Sequence, residues 1–141
     1  MASVVFDFKE LDDFAKALLE NGIRDQPKRT KKFLNQQGFA LRRKTRENAK
    51  KMVNKRTGTY HKSFRKGKVY NYKGDKTNLA VRVYNASPGA GAIEHGRHYK
   101  KKDGTEWFKP GVHVMETSAK EFEPEYLTAL DDLLDEFANS I

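Results

Sequence analysis

Two histidines and a glutamate that stand close together are the first candidates for chemistry in this chain. His95 and His98 are three residues apart, and Glu94 precedes them. On a helix this spacing presents two imidazoles to one metal ion. However, Gly96 interrupts the pair, the segment leads into a predicted strand, and no HExxH pattern is present. We therefore predict surface or interface imidazoles here, and a metal-dependent hydrolase that uses these residues stays a minor alternative.

Other catalytic patterns are weaker. Ser63 and His61 are close in sequence, but no G-x-S-x-G nucleophile elbow surrounds a serine. The glycine-rich stretch 87–96 lacks the GxxxxGK[ST] sequence of a phosphate-binding loop. A metal-dependent nuclease needs converging carboxylates, whereas residues 24–76 contain only three acidic residues. Because the chain has no cysteine, it has no thiol chemistry or disulfides. We predict no enzyme activity, no metal and no cofactor.

Two helices are predicted in the first part of the chain. Residues 8–21 and residues 26–54 both carry apolar side chains at spacings of three and four. Gly22 is predicted to end the first helix in a left-handed conformation, and Pro27 suits the first turn of the second. The predicted apolar face of the first helix consists of Leu11, Phe14 and Leu18.

A small antiparallel sheet is predicted in the middle of the chain. Apolar and more polar side chains alternate through residues 79–84, which is typical of a strand packed on one face. Residues 68–72 are predicted to pair with this strand. Asp103-Gly104 is the strongest short turn signal in the chain and predicts a hairpin.

The end of the chain is predicted to be helical again, from about 112 to 139, with Pro124 breaking or kinking it. The fold class is therefore α+β, with two N-terminal helices, a small antiparallel β-sheet with an Asp-Gly hairpin, and a C-terminal helix. A length of 141 residues predicts one domain. Within it we distinguish an N-terminal helix at 1–23, a core at 24–120 and an acidic C-terminal helix at 121–141.

Charge is distributed unevenly, although the formal net charge is only +9. Residues 24–76 hold nineteen basic and three acidic residues, whereas residues 121–141 hold seven acidic and no basic residues. Three explanations stay open: a surface that binds a polyanion, head-to-tail contact between the acidic end of one copy and the basic middle of another, and a basic helix that is simply solvated on its outer face. The chain has no apolar run of about 18 residues, so no membrane span is predicted. The first residues lack the features of a signal peptide.

Three short stretches, taken in order, resemble one protein family. The stretches are Arg56–Ser63 (RTGTYHKS), Ala92–Gly96 (AIEHG) and Lys109–Met115 (KPGVHVM). Together they are similar to the phage tail-completion proteins, the small neck or head–tail joining proteins of long-tailed double-stranded DNA phages and prophages. That family has a helix, TG-x-L-x-x-S, a sheet, a V-E-x-G corner, and P-x-x-H-F/M leading into a C-terminal helix. Here Tyr60 replaces the usual leucine, and the usual proline and aspartate before the TG pair are absent.

The resemblance implies a non-enzymatic structural protein of the virion, assembled in the host cytoplasm. It implies a homo-oligomeric ring, by family expectation a hexamer, at the head-proximal end of the tail. The implied partners are the tail-tube or tail-terminator protein and the head-connector proteins, with double-stranded DNA passing through the ring and no membrane involved. The alternative function is that of a free-standing, sequence-independent nucleic-acid-binding protein that uses the long basic helix.

The chemistry of the motif residues has a structural and a functional interpretation. Gly58 suits a left-handed backbone, Ser63 suits a local backbone hydrogen bond, and Glu94 is predicted to accept backbone N–H bonds at a corner. Trp107 and Phe108 suit either interface anchors or core packing. The candidate interface residues are Thr57, Gly58, Ser63, Glu94, Gly96, Trp107, Phe108, His113, Asp131, Asp132, Asp135 and Glu136.

A second group of candidates is basic and is predicted to face either DNA or a neighbouring subunit. The lysines of the predicted hairpin have a further interpretation, since charged side chains also protect a sheet edge from unwanted pairing. The members of the group are Arg42, Arg43, Arg46, Lys50, Lys51, Lys100, Lys101 and Lys102.

Overall fold

An antiparallel sheet with helices packed on it, and a separate two-stranded hairpin, make up the fold. The computed structural model describes residues 3–6, 13–76 and 78–139. The predicted α+β class, with its hairpin and C-terminal helix, is confirmed. In chain order the elements are β1 (Ser3–Phe6), α1 (Asp13–Asp25), α2 (Pro27–Met52), α3 (Thr59–Lys62), β2 (Phe64–Lys66), β3 (Tyr70–Asn71), a short 3₁₀ turn (Tyr72–Gly74), β4 (Leu79–Asn85), α4 (Ala90–His95), β5 (Gly96–Lys100), β6 (Glu106–Pro110) and α5 (Val114–Asn139).

The strand β4 is the centre of the main sheet. It pairs antiparallel with β1, β2 and β3, and the predicted pairing of 68–72 with this strand is confirmed at Tyr70 opposite Ala80. The strand β1 falls within residues 1–23, where the sequence predicted only a helix. Four residues are too few for an apolar pattern to separate a strand from a helix, so only the pairing with β4 makes this segment a strand.

The first helix differs from its prediction at its C-terminal end. The described part of α1 spans Asp13–Asp25 and continues through Gly22. The predicted start at residue 8, with Leu11, lies outside the described residues. Gly22 does not end the helix. It is buried, and a Cβ there would lie 2.7 Å from Cζ of Phe137 in α5. Phe14 is 73% exposed, so it does not belong to the buried face that Leu18 helps to form.

The long helix α2 is the platform on which the rest packs. It contacts β2 and β4 as well as the helices α1 and α5. Its bounds agree within two residues with the predicted helix at 26–54. It runs alongside α5, since Asn48 Nδ2 donates to Ser118 Oγ at 3.0 Å and the ring of Phe33 lies 6.1 Å from that of Tyr126. Although α2 and α5 span 26 residues each, no helix in the described ranges combines the length and apolarity needed to cross a membrane.

The helix α5 does not break at Pro124, because it runs without interruption from Val114 to Asn139. Proline inside a helix removes one backbone hydrogen bond and costs about 3 kcal/mol. Phe122 lies before it and Tyr126 and Leu130 after it, all buried on one stripe. Each large apolar side chain contributes about 1.5–3 kcal/mol on burial, so burial on both sides outweighs the cost of the proline.

Replacing Pro124 by alanine tests this balance. Because Pro124 is exposed and alanine restores the missing N–H, Pro124→Ala is expected to raise the free energy of unfolding by about 1–3 kcal/mol. Urea denaturation followed by circular dichroism measures it. The neighbouring exposed change Glu123→Ala is the control and should shift stability by less than about 0.5 kcal/mol. A loss of stability in Pro124→Ala would mean that the proline supports a bend that the packing needs.

Candidate assembly surface

The side chain of Glu94 joins α4 to the start of α5. The residue is 3% exposed, and its carboxylate accepts hydrogen bonds from the backbone N–H of Met115 at 2.8 Å and of Glu116 at 3.1 Å. The first N–H groups of a helix have no partner within the helix, and a negative charge is favourable at that end. The prediction that Glu94 accepts backbone N–H bonds is therefore confirmed, and the acceptor caps α5.

Two glycines allow the chain to pass close to this cap. Gly96 has φ of 90°, and a Cβ there would lie 2.9 Å from the backbone nitrogen of Gly111. A Cβ on Gly111 would overlap the backbone carbonyl of Glu94. Val112 N–H also donates to the carbonyl of Ile93 at 2.7 Å. The hairpin formed by β5 and β6 therefore leaves this junction in a fixed direction.

His113 lies just before α5 rather than in its first turn, as the sequence predicted. Its backbone has φ of 58°, unusual for a residue other than glycine. Its N–H donates to the Glu94 carbonyl at 3.3 Å. Its imidazole Nδ1 lies 3.3 Å from the carboxylate of Glu116. His113 thus belongs to the cap, and its exposed ring pairs with the first turn of α5.

The TG stretch forms a turn into the short helix α3 rather than the exit of α2, which already ends at Met52. Gly58 has φ of 84°, as predicted for a left-handed glycine. Ser63 Oγ donates to the Thr59 carbonyl at 2.6 Å, which confirms its predicted local backbone bond. Thr57 is exposed, and its hydroxyl oxygen accepts the N–H of Thr59 at 3.4 Å.

Tyr60 and His61 connect this turn to the Glu94 junction. His61 is buried, and its Nε2 lies 3.1 Å from the Ala49 carbonyl and 3.0 Å from that of Val53, at the C-terminal end of α2. Burial raises the pKa of the Tyr60 hydroxyl above its ordinary value, and the negative charge of Glu94 adds to the rise. The second and third stretches of the family resemblance therefore meet at the Glu94 cap, whereas His61 of the first stretch packs against the end of α2.

The hairpin carries aromatic side chains that the protein does not bury. Tyr99 pairs with Trp107, and their rings are stacked with centroids 5.0 Å apart and an interplanar angle of 15°. His98 pairs with Phe108 on the other face of the hairpin, and their ring centroids are 4.9 Å apart. Trp107 is 44% and Phe108 50% exposed. The sequence predicted either interface anchors or core packing for Trp107 and Phe108. Because both side chains are exposed, the core-packing prediction is wrong.

The turn of the hairpin forms as the sequence predicted. Gly104 has φ of 92°, and Asp103 Oδ1 accepts the N–H of Thr105 at 2.9 Å. This backbone bond lowers the pKa of the Asp103 carboxyl. The turn spans three residues, 102–104, since the N–H of Lys101 donates to the carbonyl of Thr105 at 2.8 Å, and Tyr99 therefore lies opposite Trp107. A two-residue turn at Asp103-Gly104 would place Tyr99 opposite Phe108, so the sequence register could not identify this pair, and the candidate residues omit Tyr99.

Cations flank the aromatic pair on the same hairpin face. The Arg97 guanidinium lies 5.4 Å from the Tyr99 ring centroid, and Lys101 Nζ lies 5.6 Å from that of Trp107. Lys100 points to the other face, where it lies 3.8 Å from the Glu106 carboxylate, and Lys102 is exposed in the turn. Cations over aromatic faces are favourable, so this face is both aromatic and positively charged.

A groove of about 320 Å³ lies between the base of this hairpin face and the end of α2. We call it the hairpin groove. Met52 and Val112 in it are 37% and 38% exposed. Its lining residues are Met52, Val53, Asn54, Ala92, Ile93, Arg97, Tyr99, Lys109, Pro110 and Val112. The groove thus combines an apolar floor with a basic edge.

The acidic helix is already paired in part with the basic helix of the same chain. Glu136 forms an ion pair with Arg29 of α2. Lys44 Nζ lies 3.9 Å from Glu121 and 3.8 Å from Glu125. These three acids therefore have partners within the chain, and head-to-tail contact between copies stays a prediction. The candidates Asp131, Asp132 and Asp135 are exposed.

The basic candidates on α2 fall into two groups. Arg43, Arg46, Lys50 and Lys51 are exposed. Arg42 is half-buried, and its Nε donates to the Phe64 carbonyl at 3.0 Å, so it holds β2 on the helix. Among the residues that the structure describes, no group of three or more His, Asp or Glu side chains could hold a metal ion. His95 and His98 are both exposed.

A comparison of the chain with models of protein families, with curated proteins and with solved structures found no match. The family resemblance stays a prediction, and the functional inference depends on the geometry of the junction, the hairpin and the charged helices.

Replacing Glu94 by glutamine tests the cap. The neutral amide keeps one acceptor oxygen for two N–H groups and loses the charge, so Glu94→Gln is expected to lower the free energy of unfolding by about 1–3 kcal/mol. Denaturation of Glu94→Gln and of the exposed control Glu123→Gln in parallel measures the difference. Equal stability of the two variants would show that the cap does not stabilise the junction.

Proposed function

We propose that this chain is a structural neck protein of a long-tailed phage or prophage, of the tail-completion type. Copies associate into a ring at the head-proximal end of the tail and join it to the head connector. The chain acts by docking to copies of itself and to tail and head components, and it makes or breaks no covalent bond. Its place after assembly is the virion.

The observation that carries this proposal is the exposed aromatic hairpin. A two-stranded hairpin is marginally stable by itself in water, yet this one holds Trp107 and Phe108 half-exposed instead of packing them on the main sheet. Aromatic side chains dominate the binding energy of protein interfaces. A surface of this kind favours docking against another protein.

The junction at the hairpin base supports the same proposal. Two of the three stretches that resemble the tail-completion family meet there, and the buried Glu94 cap and the glycine contacts fix the hairpin to α5. A docking element must be held in one direction, because ordering a mobile segment on binding costs free energy. The motif residues therefore serve the interface indirectly, by holding the hairpin in position.

Truncating Trp107 tests the docking role. Trp107→Ala is expected to weaken self-association at least thirtyfold, about 2 kcal/mol, because the anchor side chain is lost. Analytical ultracentrifugation over a concentration series, with tail-tube protein present or absent, measures this. Tyr70→Ala on β3 is the matched control, since Tyr70 is also an exposed aromatic residue of a strand, and it should leave association unchanged.

Deleting the coding sequence from the phage or prophage that carries it tests the biological role. Electron microscopy of the lysates is expected to show filled heads and separate tails, and complementation with the wild-type chain should restore joined virions. Complementation with Trp107→Ala should not. Firmly joined heads and tails in the deletion strain would overturn the proposal.

A second candidate function, sequence-independent binding of nucleic acid, is favoured by one observation. The outer face of α2 carries a stripe of exposed basic side chains in two groups, one near the start and one near the end of the helix, with spacings of three or four within each group. Clustered cations of this kind release counterions from phosphates. The members of the stripe are Lys28, Lys32, Arg43, Arg46 and Lys50.

A salt titration separates the two candidates. The logarithm of the association constant falls with the logarithm of the salt concentration when phosphates are bound. If the isolated chain binds duplex DNA through this stripe, replacing Arg43, Arg46 and Lys50 by glutamine should reduce the magnitude of that slope by about 2.7. Fluorescence anisotropy with a random duplex measures it, and Lys68→Gln and Lys76→Gln serve as controls away from the helix. Absence of binding up to about 100 μM chain, the weak end of the typical range for non-specific binding at physiological salt, would leave docking as the function.

A further inference from the structure

A second surface of the chain complements the hairpin groove in charge and in apolar character. It lies on the outer side of α5, where Leu127 is 46% exposed. Glu123 and Asp131 stand one turn before and one turn after this leucine, and Asp135 follows one turn later. We call these four residues the outer stripe. None of the three acids forms an ion pair with another described residue, in contrast to the acids on the α2 side of α5.

We infer that the outer stripe of one copy docks into the hairpin groove of the next copy. Leu127 would contact the apolar floor formed by Met52, Ile93 and Val112. The acids of the stripe would face the basic edge formed by Arg97 and Lys109. This inference rests on the proposed assembly role and names the two faces that make the contact.

The character of the groove favours a protein helix over a nucleic acid as its occupant. Its floor is apolar, and side chains such as Met52 and Val112 offer nothing to a phosphate backbone. Exposed ion pairs contribute little by themselves, so the contact needs apolar burial as well. The outer stripe supplies both, because its leucine lies between acids.

The two faces of a single chain cannot meet. Asp131 lies seventeen residues beyond Val114 in an uninterrupted helix, which is about 25 Å at 1.5 Å per residue. The groove lies at the start of that helix, so only another copy can bring an outer stripe to it. Contact between two different patches is head-to-tail, which produces a ring when the rotation per subunit closes.

Site-specific cross-linking tests the contact directly, because the chain has no cysteine of its own. Asn54→Cys places a thiol at the rim of the groove, and Thr128→Cys places one beside Leu127. A mixture of the two variants, treated with a short bis-maleimide, is expected to give a cross-linked dimer at least tenfold above either variant alone. Ala17→Cys on the exposed side of α1 replaces Thr128→Cys as the control and should give only background.

Charge reversal supplies an independent readout. Two double variants reverse the charge on one face each: Arg97→Glu with Lys109→Glu in the groove, and Asp131→Lys with Asp135→Lys on the outer stripe. Each should weaken self-association about tenfold or more, since attraction becomes repulsion. The chain that carries all four changes should recover to within about threefold of the wild type. Lys68→Glu with Lys76→Glu, an equal charge change on another surface, should leave association unchanged and is the matched control.

The outcomes separate this inference from the proposed function. Self-association without cross-linking in the mixture, or without recovery in the fourfold variant, overturns the contact named here while the assembly role stands. Efficient cross-linking of Asn54→Cys with itself also overturns it, because that result means a symmetric groove-to-groove contact. A chain that stays monomeric at all concentrations, with tail-tube and head-connector proteins present, overturns both.

Discussion

The cap that Glu94 places on α5 is the interaction on which the exposed part of this molecule depends. A carboxylate that is almost fully buried is tolerated because two backbone N–H groups of a helix start bind it. The same junction fixes where β5 leaves α4 and where β6 returns, since Gly96 and Gly111 approach each other there. The cap acts together with the backbone hydrogen bonds of Val112 and His113 to hold the hairpin in one direction.

Charge in this chain has two separate uses. On the inner side, acids of α5 pair with Arg29 and Lys44 of α2. These contacts are exposed and contribute little to stability individually, but they align two long helices whose apolar stripes provide most of the packing energy. On the outer side, Glu123, Asp131 and Asp135 of α5 lie without such partners in the described part of the chain, as do Arg43, Arg46 and Lys50 of α2. A strongly dipolar sequence therefore leads to a folded protein in which only part of the dipole remains available for contacts with other molecules.

The hairpin combines features that a stable monomer has no need for. It is separate from the main sheet, it stacks Tyr99 on Trp107 at the surface, and it surrounds the pair with cations. Within a single chain these aromatic rings gain only each other's contact, whereas against a partner surface they would bury much more area. This excess of exposed aromatic surface connects the fold to the proposed assembly role.

Local signals in the sequence determined the α+β class, the bounds of α2 within two residues, the hairpin turn at Asp103-Gly104 and the left-handed Gly58. Each of these depends on neighbours in the chain, through apolar periodicity or the backbone freedom of glycine. What local signals could not decide depended on contacts between distant residues. The strand β1 forms because it pairs with β4. The helix α1 continues through Gly22 because that glycine packs on Phe137. The helix α5 continues past Pro124 because apolar burial on both sides of the proline exceeds the cost of one lost hydrogen bond. Likewise, the candidate residues Glu94, Trp107 and the acids of α5 were recognisable by type. Only the tertiary structure decided that Glu94 is a cap, that Trp107 is exposed and that three of the seven acids in residues 121–141 are already paired, because each outcome depends on which distant surface covers the residue.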